Sequence, residues 1–596
     1  MRAMKPRASE DQLADFTRDR RVLVLSLMAF AIGIISALVA YALIWLINVI
    51  THLSFYQDFS SAPVSPAGHH LHYWVVLVPV IGGLLIGLMA RYGSEKIRGH
   101  GIPEALEAIL FGQSRMHPKV AILKPLSSAI SIGTGGPFGA EGPIIMTGGA
   151  CGSLFAQLFH LSAAERKTLL VAGAAGGMSA IFASPVAAVL LAVELLLFEW
   201  KPRSFIPVAI AAAVAGAMRV ALLGSGPIFP VLPHAALDGE GLALAFSVGI
   251  VAGLGSGLLT TLVYAFEDLF QKLPIHWAWW PAIGGLCIGI GGLIDPRVLG
   301  VGYDMIHALL NGQLVGASAL SLLVVKALVW SVALGSGTSG GVLAPLLIMG
   351  GALGAVESQW IPIGDAGLWS MISMAAMMGG TMRSPLTSII FTLELTHDLN
   401  VMPALLVGSV AAHGVTVLLL RRSILTEKVA RRGYHITREY AIDPLEQLRV
   451  GEVCDRDAPT VSQATTLGEF SDLLAQSDAP LTRHQGTLIV DGQGFLVGLL
   501  TRGDLMRGLQ EDEGRTVLDA GSRELIVTYP DEVLRQAVEK MVSNDIGRLP
   551  VVNRANPREI IGYLGRSNVF AARRRHLEEE HVREPGWLTS SKARSA

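Results

Sequence analysis

From Val22 to Ile50 the chain runs 29 residues without a charge, longer than the roughly 20 residues a helix needs to cross a bilayer. Apolar runs of this kind recur to about residue 432, many of them cut short by clusters of Gly and Pro. The pattern predicts an all-α polytopic membrane domain over 22–432, preceded by a short segment at 1–21. From about residue 449 it changes to short β-branched strands between amphipathic helices, which predicts an α/β region to about 575. A linker at 433–448 separates the two, and 576–596 forms a charged tail.

Charge follows the same division. Of the 156 residues from 441 onward 43 are Asp, Glu, Lys or Arg, against 51 in the first 440. The net charge of -2 offers no overall field for nucleic acid. Arg18, Arg20 and Arg21 stand directly before the first apolar run, which is too long for a signal-peptide core and ends in no small-residue cleavage site. It is read as a retained first helix. Those arginines favour a cytoplasmic N-terminus, and the charged C-terminal region is placed on the same side. Cys151, Cys287 and Cys454 are too few and too scattered for a disulfide framework or a zinc site, so no metal is expected.

The membrane region repeats itself. Ile81-Gly82-Gly83 recurs as Ile283-Gly284-Gly285, GTGGPFGAEGPIIMTGGACGS (133–153) aligns without gaps to GSGTSGGVLAPLLIMGGALGA (335–355), and Ser184-Pro185 with Glu194-Leu195 recur as Ser384-Pro385 with Glu394-Leu395. Two related halves of about 200 residues follow. Gly/Pro-interrupted apolar segments at matching places in two halves point to a transporter's binding site near the bilayer midplane. Close packing alone also explains single glycine pairs, but the stretch 133–149 sets many glycines and two prolines around a lone carboxylate.

Three motifs look like helix starts: GHGIP (99–103), GAEGP (139–143) and GGVLAP (340–345). In each, a proline falls where a first helical turn lacks hydrogen-bond partners anyway. Unpaired N–H groups and the positive end of the dipole bind anions, and several such ends meeting inside a membrane would attract an anion weakly enough to let it leave. Glu141 lies inside the second motif, and an ionisable group at membrane depth is a functional candidate. Its carboxylate is either a tethered competitor for the anion site or a cap on its own helix. Glu194 and Glu394 divide between a shared structural role and a place on an ion path.

These residues resemble the CLC family of chloride channels and proton-coupled anion exchangers. The likeness covers about residues 20–430 and the tail. It implies two inverted repeats, a homodimer with one anion pathway per subunit, no required cofactor, and Glu141 as the external gate. It places the anion near the side chain of His100, the backbone amides of Gly101, Ile102, Val342 and Leu343, Gly142, and Leu425. His100 stands where the family has a serine, Ala140 where it has a basic residue, Leu343 for a phenylalanine, and Leu425 for a tyrosine. The glutamate with which exchangers load protons aligns with Leu195, beside Glu194, which is kept as a proton-path candidate.

The tail repeats too: 486–505 resembles 547–569, with Gly498, Arg502 and Asp504 recurring as Gly562, Arg566 and Asn568. This looks like a pair of CBS domains, at 449–511 and 512–575. The resemblance implies an adenosine nucleotide (AMP, ADP or ATP) held at Thr501, Asp504 and Asn568, with a purely structural pair as the other reading. Gly565 replaces the hydroxyl in the second copy, so at most one site is complete.

The expectation is therefore a gated transporter of chloride or a similar small anion, seated among lipids in a bacterial inner membrane with the CBS pair in the cytoplasm. Channel and exchanger both remain open, as does a transport-inert, membrane-anchored nucleotide sensor. An enzyme fits poorly: GTGGPFG lacks the strand, Lys and Ser/Thr context of a phosphate-binding loop, and no nucleophile with a base is evident.

Overall fold

The computed structural model describes residues 21–434, 445, 448–476, 481 and 484–581. They form two compact units that divide after Gly433.

The first unit is helical. Its α-helices are α1 (Arg21–Thr51), α2 (Leu77–Tyr92), α3 (Ile102–Leu110), α4 (Pro118–Gly133), α5 (Glu141–Gln157), α6 (Ala163–Phe182), α7 (Pro185–Leu191), α8 (Pro202–Leu223), α9 (Gly239–Gln271), α10 (Trp280–Ile294), α11 (Tyr303–Leu310), α12 (Gly316–Gly335), α13 (Leu343–Glu357), α14 (Ala366–Met382), α15 (Pro385–Thr396), α16 (Met402–Leu419) and α17 (Ile424–Arg431). Among the described residues seven helical segments are long and apolar enough to cross a membrane. The shorter ones end where Gly/Pro clusters cut the apolar runs. Most of the linker expected at 433–448 and the last part of the tail lie outside the described residues.

The order repeats after eight helices, α1–α8 answering α9–α16. Helix α1 packs on α6 and α8 as α9 packs on α14 and α16, and α5 lies on α6 as α13 lies on α14. The two IGG helices cross at their glycines: a Cβ on Gly83 would lie 2.2 Å from Pro281 O, and one on Gly285 2.3 Å from Pro79 O. Each half thus presents the same surface to the other. Ala183 and Arg383 both turn left-handed, at φ 52° and 57°, ending α6 and α14 just before the Ser-Pro pairs that open α7 and α15.

The halves also cap each other. The Glu394 carboxylate accepts from Val186 N at 3.0 Å and Ala187 N at 2.8 Å, at the start of α7. Glu194 accepts from Leu386 N at 3.2 Å, Thr387 N at 2.8 Å and Thr387 Oγ1 at 2.6 Å, at the start of α15. A carboxylate suits the positive end of a helix dipole and satisfies N–H groups that have no partner within the helix.

The second unit holds β1 (Thr460–Ser462), β2 (Gly486–Val490), β3 (Leu496–Thr501), β4 (Arg548–Val552) and β5 (Ile560–Gly565), with helices α18 (Val450–Val453), α19 (Leu467–Gln476), α20 (Arg502–Glu511), α21 (Val517–Ala520), α22 (Leu534–Ser543) and α23 (Arg566–His581). Strand β1 runs parallel to β2, and β2 antiparallel to β3. The pair β4–β5 repeats the antiparallel hairpin, with a register shift at Val551/Val552 matching that at Ile489/Val490. Each copy lends its leading segment to the other. Val450 packs with Leu534, Leu549 and Leu564 of the second copy, while Val517 packs with Leu467, Phe470 and Leu500 of the first. Packing therefore crosses the boundary expected at 511/512, and α23 continues past 575 to His581.

Candidate anion site

Two short backbone bridges tie the three motifs together. Gly139 N donates to Gly341 O at 3.3 Å and Gly341 N returns a bond to Gly139 O at 2.8 Å. Gly99 N donates to Thr338 O at 3.2 Å, and Gly340 N to Gly99 O at 3.4 Å. The loops before α3, α5 and α13 are thus joined at one place inside the helical unit, although the motifs lie up to about 240 residues apart. His100, Gly101, Ile102, Glu141, Gly142, Val342 and Leu343 are all buried there.

Glu141 opens α5, and its carboxylate crosses to the other half. Oε1 accepts from Ala344 N at 3.2 Å, in the first turn of α13. Oε2 is buried with no hydrogen-bond partner. The carboxyl group folds back over glycine backbone, since a Cβ on Gly139 would lie 1.7 Å from Oε2 and one on Gly341 2.5 Å from it. Among the described residues no Lys, Arg or His pairs with it. A carboxylate on an N–H at a helix start, uncompensated by any cation, sits where a free anion would sit. The amide it uses is that of Ala344, one residue beyond the pair expected from sequence.

His100 is 2 % exposed and its Nδ1 has no hydrogen-bond partner. The Gly101 amide, expected to hold an anion, is already engaged: it donates to Glu104 Oε2 at 3.0 Å. The helix caps itself there, because Glu104 stands three residues after the cap position and its side chain reaches back. Behind the motif Lys124 Nζ, fully buried, donates to Ile97 O at 2.8 Å, Gly99 O at 2.7 Å and Ser339 Oγ at 3.0 Å. Its counterpart Lys326 donates to Val298 O at 2.9 Å and Gly300 O at 3.3 Å in the second half. Helix α17, whose first turn buries Leu425, reaches α3 through ion pairs. Arg432 donates to Glu104 Oε1 at 2.9 Å and Glu107 Oε2 at 2.6 Å, and Lys428 Nζ lies 3.5 Å from Glu104 Oε1.

A family model described as voltage gated chloride channel matches residues 82–417, more than half of the chain and all three motifs. The chain belongs to this family, the CLC proteins. The CBS domain model matches twice, at 450–511 and 517–575. Chloride channel protein CLC-f of Arabidopsis thaliana is 27 % identical over 595 aligned residues, covering 83 % of this chain and 73 % of the plant protein. The voltage-gated ClC-type chloride channel ClcB of Salmonella typhimurium is 29 % identical, covering 68 % of this chain and 98 % of its own. Among solved structures a slow cyanobacterial Cl-/H+ antiporter matches with a TM-score of 0.62 at 21 % identity, over 70 % of this chain and 98 % of its own. A eukaryotic CLC transporter matches with a TM-score of 0.60 at 18 % identity, over 92 % and 98 %. These structures share the CLC fold with this chain.

Four further candidates of this CLC chain, Glu194, Thr501, Asp504 and Asn568, have structural employment. Glu194 caps α15 with both oxygens, and Leu195 beside it is fully buried. In the CBS pair the Thr501 hydroxyl donates to Asp504 Oδ2 at 2.6 Å and accepts from Asp504 N at 3.2 Å, opening α20. Asn568 does the equivalent at α23, accepting from Gly565 N at 2.9 Å while its amide donates to Val453 O at 3.2 Å. A cleft lined by Phe470, Leu474, His484, Thr501 and Arg502 adjoins the first of these positions; Asn568 is committed to holding α18.

Proposed function

We propose that the protein moves chloride or a similar small anion across the membrane along a path that Glu141 closes. The observation that carries this is the Glu141 carboxylate seated on Ala344 N at the joined helix starts. With that carboxylate displaced, the Ala344 amide faces the path as a main-chain donor, and His100 Nδ1 is a second polar group within the same buried cluster. Homodimerisation, a bacterial inner membrane and a cytoplasmic CBS pair complete the reading, as the family resemblance implies. Leu195 offers no group to load a proton, and Glu194 is held as a cap, so tight proton coupling is not expected. The test is purified protein in liposomes, with chloride efflux and proton movement recorded together. Chloride efflux above protein-free vesicles, with weak or absent uphill proton pumping, is the expected result. Absence of efflux would sink the transport reading; robust uphill pumping would support an exchanger.

The CBS pair binds an adenosine nucleotide in the cleft beside Thr501. Titrating AMP, ADP and ATP onto the detergent-solubilised full chain is expected to show saturable binding of one of them. Asp504→Ala is expected to weaken that binding about tenfold, since it removes a charged acceptor worth about 1.5–3 kcal/mol when hydrogen-bonded. With no saturable binding at millimolar concentrations, only the structural role of the pair survives.

A further inference from the structure

Glu357 carries a carboxyl group that neither the anion site nor the helix packing uses. It stands in the last turn of α13, and both of its oxygens are buried without a hydrogen-bond partner. The end of a helix presents unpaired carbonyls and the negative pole of its dipole, which disfavour a negative charge. The other half shows that the fold does not require one here. Two residues past the aligned stretches 133–153 and 335–355, Glu357 stands opposite Phe155, whose ring packs on Phe159 with centroids 5.3 Å apart.

No charge compensates the group. Residues three and four apart share a helix face, so Glu357 continues the stripe of Gly350, Leu353 and Gly354. A Cβ on Gly350 would lie 2.8 Å from Ser373 O, and one on Gly354 2.2 Å from Trp369 O, which lays this stripe on the backbone of α14. Helix α14 has no titratable side chain. Of the other helices packed on α13, α12 has only Lys326, bound to Val298 O and Gly300 O. None of the titratable groups of α5 (Glu141, Cys151), α9 (Glu240, Tyr264, Glu267, Asp268) or α11 (Tyr303, Asp304, His307) acts on Glu357. A buried carboxyl without a counter-charge keeps its proton. Water is close, because the chain becomes exposed at Gln359 and Trp360 just beyond it.

We propose that Glu357 is a second proton-binding position of the membrane unit, neutral on the α13–α14 seam, and that its deprotonation pulls the end of α13 toward water and lowers anion flux. This rests on the transport reading above. One unbroken helix joins the two carboxyls, since α13 receives Glu141 at its first turn and ends at Glu357. A displaced end therefore moves Ala344 N, the donor on which the path depends. Without a counter-charge the proton leaves only in the alkaline range, so the effect is read above neutral pH, clear of the gate's response to acid.

The experiment follows chloride efflux from liposomes between neutral and alkaline pH in the wild type and in Glu141→Gln, where the gate's own titration is absent, each with Glu357 native, Glu357→Gln or Glu357→Phe. Melting temperature is recorded over the same range for each detergent-solubilised, monodisperse protein. With Glu357 native in the Glu141→Gln chain, flux is expected to fall about tenfold in alkali, a size typical of coupled sites. Melting temperature should fall as well, because a folded carboxyl that holds its proton more tightly than the unfolded chain loses stability as pH rises to the point where it ionises. Both substitutions at 357 should remove the loss of flux and lessen the fall in melting temperature. Glu357→Phe supplies the side chain that the first half carries. An alkaline loss of flux that persists in both variants, or is absent with Glu357 native, overturns the proposal. So does a change in the melting profile with an unchanged flux profile, which leaves the carboxyl a packing defect. A wild type and a Glu141→Gln chain that carry no anion at any pH end the transport reading, and the melting profiles then decide alone whether Glu357 binds a proton.

Discussion

Glu141→Gln is expected to conduct anions at neutral pH at about the rate the wild type reaches only in acid, with little remaining pH dependence. On the proposed gate reading the carboxylate competes with the permeating anion for the amide of Ala344, which it occupies with Oε1, while Oε2 lies buried against Gly139 and Gly341 without a hydrogen-bond partner. Protonation removes the competing charge, so wild-type flux should rise as pH falls. Glutamine keeps the shape and discards the charge at every pH. It also leaves Ala344 N facing a neutral oxygen, a weaker acceptor than an ionised one by about a factor of two. Any proton movement linked to the anion in the wild type should vanish with the carboxyl group. The measurement is chloride efflux from liposomes between acid and neutral pH. Wild-type-like, pH-sensitive flux through Glu141→Gln would leave Glu141 a helix cap and nothing more.

Lys124→Met is expected to cost more than any other single change near the site, and to cost it through the scaffold. Nζ of Lys124 is the donor for Ile97 O and Gly99 O on either side of Arg98, and for Ser339 Oγ from the other half. Ser339 also receives Ser127 at 3.1 Å and shares a bond with Ser128 at 2.8 Å. A buried acceptor left unmade costs about 1–3 kcal/mol, so two stranded carbonyls amount to about 2–6 kcal/mol before Ser339 is counted. The loop carrying His100 is then free to leave the bonds of Gly99 to Thr338 and Gly340. A lowered melting temperature and loss of flux per folded molecule are expected together. Lys326→Met is the control: it strands two carbonyls of its own half, neither of them in the loops before α3, α5 or α13. It should lower stability while leaving the half-saturating anion concentration unchanged. Equal loss of anion affinity in both variants would show that Lys124 has no special hold on the site.

The division between membrane part and tail was legible because it is a matter of bulk charge and unbroken apolar length, which need no partner to be read. The repeat was legible because the same Gly and Pro punctuation serves the same helix ends twice, at 82–83 and 284–285, at 184–185 and 384–385. Glu141 stood out as a lone carboxylate among glycines. What did not show was convergence. Lys124, Ser339 and Lys428 come from three segments separated by up to about 300 residues, and no local pattern announces that they meet behind one loop. The repetition of Glu194 and Glu394 suggested a shared structural role beside a place on an ion path, but the capping itself, each carboxylate serving the opposite half, needs the spatial relation of the halves. The exchange of Val450 and Val517 between CBS copies was hidden for the same reason. The engagement of the Gly101 amide was readable: Glu104 at a spacing of three is the mark of a capping box.

The crosswise capping of α7 and α15 bears on how the chain comes into being. Synthesis proceeds from the N-terminus, so α7 leaves the ribosome about 200 residues before Glu394 exists, and the amides of Val186 and Ala187 have no carboxylate to meet until then. Glu194, by contrast, is already waiting when α15 is made. The first half is thus delivered to the membrane in a provisional state, and the last two helices of the repeat close a structure begun long before them.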